Sequence, residues 1–342
     1  MTPCVFGLAG LSLSADERAF FRDADPAGYI LFARNCETVA QVRALTDDLR
    51  SLHGRDALFI TIDQEGGRVA RMKPPAWPAY PPGAAFDRLY DVAPITAMEA
   101  ARVNALAIGL DLAEAGISSG ALPLLDVATG DMHDVIGDRA LGHDPDRVAS
   151  LGRAVLDGLL EAGVQGIVKH MPGHGRATAD SHHRLPVVTA DTDALEIDLA
   201  PFRALNDAAI AMTAHIVYPA WDRERPATQS PTIIAEIIRK AIGFDGLLLS
   251  DDIDMQALTG SVPERAWAAI TAGCDLVLNC WARQDDMIAI AAALPAMTPL
   301  AVERLDRAMQ PVDVAGAFQG AELRREAIAK RDALLRAGGI AP

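Results

Sequence analysis

Eight short apolar segments alternate with amphipathic helical stretches, and a polar residue closes nearly every one of the apolar segments. Together these observations predict an α/β fold, a (β/α)8 (TIM) barrel whose reactive face lies at the C-terminal ends of its strands. The apolar segments span 5–8, 29–32, 58–63, 121–127, 166–170, 210–215, 247–251 and 275–279. Runs of this length without clean polar alternation suit strands buried on both faces, as in a parallel sheet.

The helices between them carry their own punctuation. Thr38 precedes Val39, Val42, Leu45, Leu49 and Leu52 at three- and four-residue steps, and Gly54 closes the run. Thr38 with Gln41 reads as a capping box. Asp144–Pro145 opens another helix with a cap and a proline at its first position, and Gly163 ends it. Ser230–Pro231 and Gly243 repeat that pattern, and the stretch from Pro94 to Gly116 reads as helical too. An open doubly wound sheet would show the same alternation, but no Gly-x-Gly-x-x-Gly follows a strand. No low-complexity linker divides the chain. Residues 1–342 are therefore expected to form one domain, with a charged helical tail from about 301 packed on the barrel.

Bulk properties narrow the partners. Half of the 342 residues are hydrophobic, enough for a large core, and the formal charge is −15. Such a surface repels phosphate backbones and anionic lipid, so nucleic acid and membranes are poor partners. Cys4, Cys36, Cys274 and Cys280 show no CxxC pair, which fits a reducing compartment. The apolar start has no preceding Lys or Arg, unlike a secretory signal, and no run reaches the roughly 18 apolar residues of a membrane span. A cytoplasmic monomer is the expectation.

Asp63, Asp126, Lys169, His170, His215, Asp251 and Asn279 sit at or near the ends of six expected strands. One such residue is ordinary turn chemistry, whereas a ring of them points to an active site. The densest segment runs from Lys169 to Gly175 and on from Asp180 to Pro186, and four of the eight histidines fall between 170 and 183. Imidazole exchanges protons near neutral pH, its unperturbed pKa being about 6.5. Asp180 and His182 stand two apart, so the carboxylate can fix the imidazole tautomer and raise its basicity. His170 and His174 have the spacing of zinc helices, but Pro172 and Gly173 break any helix there, which disfavours metal. A purely structural loop, its histidines satisfying backbone groups, is the other rival to the acid/base reading. In Leu247–Met255 an apolar strand runs into Asp251 and Asp252, as a nucleophile or base would require. In Thr61–Arg71, Asp63 is followed by a Gly-Gly turn and by Arg68 and Arg71, suited to holding vicinal hydroxyls or equally to a tight turn with an ion pair; Arg139 stands in another glycine-flanked loop.

The set IDQEGGRVAR, LDVA, IGDRALG, KHMPGHG, DSHHRLP, MTAHIVYP and LLLSDDIDM, in that order from residue 62 to 255, resembles glycoside hydrolase family 3. Within it the likeness is to the short, single-domain β-N-acetylhexosaminidases of the NagZ type. Met171 stands where phenylalanine is common, an apolar-for-apolar change. The resemblance implies Asp251 as nucleophile, and His182, partnered by Asp180, as acid/base. It implies Asp63, Arg71, Arg139, Lys169 and His170 as ligands of a terminal N-acetylglucosamine. It further implies a retaining exo-β-N-acetylglucosaminidase acting on peptidoglycan-derived muropeptides, with no cofactor and no metal. A phosphorylase using the same residues, an idle sugar-binding sensor and a metal-dependent barrel hydrolase are the alternatives.

Overall fold

In the computed structural model, which describes residues 1–130, 133–181, 184–310 and 320–341, a closed barrel of parallel strands carries helices on its outside. The strands are β1 (Thr2–Gly7), β2 (Pro26–Leu31), β3 (Phe59–Ile62), β4 (Ser119–Gly120), β5 (Gln165–Met171), β6 (Ile210–Thr213), β7 (Leu247–Asp252) and β8 (Leu276–Asn279). They follow one another around the barrel in chain order, and β8 closes on β1 through Phe6 and Asn279. The expected barrel is the one observed.

The helices are α1 (Ala15–Ala24), α2 (Val39–His53), α3 (Gly83–Val92), α4 (Pro94–Glu114), α5 (Pro145–Glu161), α6 (Thr192–Ala204), α7 (Ile233–Ile242), α8 (Val262–Ala272), α9 (Gln284–Ala293), α10 (Pro299–Ala308) and α11 (Gly320–Ala337). Thr38 caps α2 by accepting from the Gln41 amide, but the Gln41 side chain accepts from Glu37 rather than Thr38, so only half of the box forms. Asp144 caps α5 by accepting from the Arg147 amide. Ser230 accepts from the Ile233 amide at the start of α7, a helix wound wide with π-type turns. Helices α4 and α5 pack so closely that a Cβ on Gly158 would strike the Arg102 carbonyl.

One strand differs from expectation. The segment 121–127 forms no extended ladder; β4 is only Ser119–Gly120, and a single bridge joins Leu124 to Lys169. Pro123 has no N–H to offer, so the run is buried as irregular chain instead. The barrel interior is layered with Val5, Phe59, Ile167, Ile210, Leu247 and Leu276, all buried. On the same inward-facing alternation, higher up, come Asp63, Lys169 and Asp251. Among the described residues no helix is long and apolar enough to cross a membrane.

Candidate active site

A cavity of about 400 Å³ opens at the C-terminal mouth of the barrel. Asp63, Arg71, Arg139, Lys169, His170 and Asp251 all line it, so six of the expected site residues converge from four strands and their loops. Asp180 stands half-buried outside that lining, and its carbonyl accepts from the Arg184 amide. His182 lies outside the described residues.

On the β3–β5 side the residues form an ionic lattice. Arg71 Nη2 donates to Asp63 Oδ2 at 2.9 Å, while Lys169 Nζ reaches Asp63 Oδ1 at 3.2 Å and Glu65 Oε1 at 2.7 Å. Arg139 forks onto both Glu65 oxygens, each at 2.8 Å. Burial would raise the carboxyls of Asp63 and Glu65, but Lys169, with Arg71 at the first and Arg139 at the second, outweighs it and holds both below the usual carboxylate range. The wall is thus charged and pre-ordered, with acceptors and donors side by side. That is what a sugar's vicinal hydroxyls need. The local cause is a short hairpin, Gln64–Gly66 against Val69–Ala70, that doubles the chain back after β3. Gln64 is fully buried and stitches it: Oε1 accepts from the amides of Arg71 and Met72, and Nε2 donates to the Met72 carbonyl.

The β5 side is set by Asp126, buried behind the cavity. Its Oδ1 accepts from the His170 and His174 amides at 3.1 and 2.7 Å, and its Oδ2 pairs with His170 Nδ1 at 2.8 Å. One carboxylate therefore fixes two turns of the loop that leaves β5. That loop lies flat against the strand-4 segment, since a Cβ on Gly175 would collide with the Val127 backbone. Burial, then the neighbouring His170, pushes the His174 imidazole down to about 4, so it is neutral near pH 7. Its Nε2 lies 3.5 Å from Ser181 Oγ, and the Ser181 carbonyl accepts from the Ala257 amide, tying the start of the 181–186 segment to the cavity wall.

On the β7 side, Asp251 Oδ1 accepts from the Asp252 amide at 2.8 Å. Asp252 Oδ1 in turn accepts from the Asp254 and Cys280 amides. Burial, reinforced by Asp254, pushes the Asp252 carboxyl well up. Behind the strand end, His215 Nε2 lies 2.9 Å from the Asp252 carbonyl, an oxygen that can only accept, so that nitrogen carries a proton.

The family model for the glycosyl hydrolase family 3 N-terminal domain matches residues 7–314. The chain belongs to glycosyl hydrolase family 3. A β-hexosaminidase of Bordetella avium (strain 197N) is 38% identical over 312 residues, which covers 90% of this chain and 88% of that protein. NagZ from Neisseria gonorrhoeae, solved in complex with N-trifluoroacetyl-D-glucosamine, aligns with a TM-score of 0.88 at 31% identity over 98% of both chains. A family 3 β-N-acetylglucosaminidase from Paenibacillus sp. str. FPU-7 aligns with a TM-score of 0.86 at 32% identity, over 96% of this chain and 67% of that one.

This family 3 barrel also uses residues that sequence reasoning left out of the site. Glu65 is the counter-ion of both Lys169 and Arg139. Its neighbour in the sequence, the Gly-Gly turn, hinted at a hairpin but not at which side chain turns inward. Asp126 and His215 stood in the expected ring, yet they act behind the cavity: Asp126 holds the β5 loop and His215 the end of β7. Asn279 likewise donates to both oxygens of Asp254, at 3.0 and 2.9 Å. Trp281, half-exposed on the cavity lip, gave no signal in the sequence. Among the described residues no group of three or more His, Cys, Asp or Glu is placed to hold a metal ion.

Proposed function

We propose that this family 3 glycosidase is an exo-acting β-N-acetylglucosaminidase that retains configuration through a covalent glycosyl–Asp251 intermediate. Its activity class is that of a β-N-acetylhexosaminidase, and its curated relatives carry the name β-hexosaminidase. The observation that carries the reading is Asp251: an aspartate at the end of a buried strand, in the same cavity as a pre-charged lattice suited to sugar hydroxyls. Asp252 is the weaker candidate for nucleophile. Its carboxyl is pushed up by burial and Asp254, and its Oδ1 is already engaged by the Asp254 and Cys280 amides, which leaves it less available for attack.

In this reading Asp63, Arg71, Arg139, Lys169 and His170 grip the terminal N-acetylglucosamine. The Asp251 carboxylate attacks the anomeric carbon while the bond to the leaving oxygen breaks, and His182, oriented by Asp180, gives that oxygen its proton. His182 then takes a proton from water, which attacks the same carbon and releases Asp251. The substrates are muropeptides in which N-acetylglucosamine is β-1,4-linked to anhydro-N-acetylmuramic acid, with or without peptide. The barrel and its C-terminal helices act as one catalytic domain, as a cytoplasmic monomer on small carbohydrates. The net charge of −15 and four free cysteines support that setting, and light scattering on the eluting protein tests the monomer.

Trapping with a 5-fluoro N-acetylglucosaminyl donor, then peptide mass spectrometry, tests the chemistry. The expected label is on Asp251; a label on Asp252, or none with turnover intact, overturns it. Added phosphate distinguishes hydrolysis, which yields free sugar, from phosphorolysis, which yields sugar 1-phosphate.

A further inference from the structure

The proposed sugar grip and nucleophile occupy the β3–β5 and β7 sides of the mouth. The β8–β1–β2 side has no role in that scheme, yet it is built. Trp281 follows β8, lines the cavity and is 46% exposed, a large apolar ring left in water at the lip. It is not loose: its amide donates to Asp254 Oδ2 at 3.0 Å, and the Arg283 guanidinium lies 4.4 Å from the indole centroid. Between them Ala282 has φ 55°, a left-handed conformation that alanine keeps only where its surroundings hold it there. Also lining the cavity, Arg34 donates through Nη2 to the Cys280 carbonyl at 2.5 Å, and its guanidinium covers Phe32 at 4.7 Å. Among the described residues, no carboxylate pairs with Arg34 or Arg283, although most arginines of this acidic chain have one.

We propose that Trp281 and Arg283 form the leaving-group subsite, the indole receiving the apolar face of the aglycone sugar and the guanidinium selecting an aglycone that carries a carboxylate. The inference rests on the glycosidase reading above and adds the residues that choose its substrate. An indole face suits the C–H face of a pyranose. A guanidinium with its fork unpaired suits a carboxylate, bidentately. Against a net charge of −15, which repels an anionic substrate at long range, a local cation at the mouth is what admits one.

The test compares three substrates on the full chain: N-acetylglucosaminyl-β-1,4-anhydro-N-acetylmuramic acid, the neutral N,N′-diacetylchitobiose, and 4-nitrophenyl N-acetylglucosaminide. In Arg283→Gln the ratio of kcat/KM for the acid-bearing to the neutral disaccharide should fall about tenfold, as loss of one charged hydrogen bond implies. In Trp281→Ala both disaccharides should lose about tenfold relative to the aryl glycoside, and Trp281→Phe, which keeps a ring, should recover most of it. Ratios that stay at the wild-type value in Arg283→Gln, or equal losses on all three substrates in Trp281→Ala, overturn the subsite and leave the glycosidase standing. A wild-type chain that cleaves none of the three overturns the glycosidase reading, and the subsite with it.

Discussion

Asp251 and Asp252 are adjacent carboxylates at the end of β7, and both line the cavity. Their surroundings differ. Asp252 is tied by the Asp254 and Cys280 amides and raised by burial, which suits a structural corner better than an attacking group. Asp251→Asn should therefore cut turnover by roughly 10³–10⁶-fold with the fold intact, whereas Asp252→Asn should lose less. A steady-state assay in which Asp251→Asn keeps a tenth of the wild-type rate would move the nucleophile elsewhere. His182 is tested through the leaving group, because a good one departs without a proton. His182→Ala should slow disaccharide cleavage by roughly 10²–10⁴-fold. It should slow the first step on an aryl glycoside less, so that a burst appears; equal losses and no burst would assign His182 to holding its loop. Both stand out in the sequence as candidates because each sits in a distinctive local run. Glu65 was not, since its value comes from Arg139, brought to it only by the fold.

At the scale of elements, the hairpin after β3 turns a strand end into a binding wall. Asp63 and Lys169 contribute to it from different strands, so each removed side chain leaves the other's charge underpaired. Asp63→Ala and Lys169→Ala should each raise the barrier in kcat/KM by roughly 2–4 kcal/mol. Unchanged kinetics in both would place the sugar elsewhere. The lattice also sets an acid limit. Asp63 and Glu65 have folded values held below their unfolded ones, so their pairing stabilises the fold fully above about pH 4.5 and is lost as pH falls through the depressed values. The stability gap between wild type and Glu65→Gln, from urea melts, should accordingly narrow below about pH 4. A constant gap down to about pH 2.5 would mean that charge pairing at Glu65 does not stabilise the fold. Periodicity revealed most strands and helices, but it could not shorten the 121–127 run. That correction came from Pro123, whose missing N–H matters only once neighbouring strands are in register.

For the whole molecule, the alternation of elements was enough to read a closed barrel, because parallel strands buried on both faces leave few other ways to cover them. How helix α11 completes it was not readable, since its partners are more than two hundred residues away. Helix α11 lies along α4. Arg331 donates to Asn104 Oδ1 at 3.1 Å and covers the Tyr80 ring, Arg324 pairs with Asp111 and Glu114, and Leu335 is fully buried. Asp111 also accepts from the Tyr80 hydroxyl at 2.5 Å, so the helix is locked into the same polar cluster that holds the segment before α3. If α11 belongs to the barrel's cooperative unit, a cavity at Leu335 must destabilise the whole. Leu335→Ala should cost roughly 2–5 kcal/mol. Melting entropy runs near 2.1 cal/mol/K per residue, so over 342 residues Tm should fall by roughly 3–7 °C in a single transition. None of these contacts is to a residue lining the mouth, so kcat/KM well below Tm should hold at the wild-type value. An unchanged Tm, or a separate early transition in calorimetry, would make α11 an appendage and break the one-domain reading. A loss of kcat/KM with Tm intact would instead mean that α11 shapes the mouth.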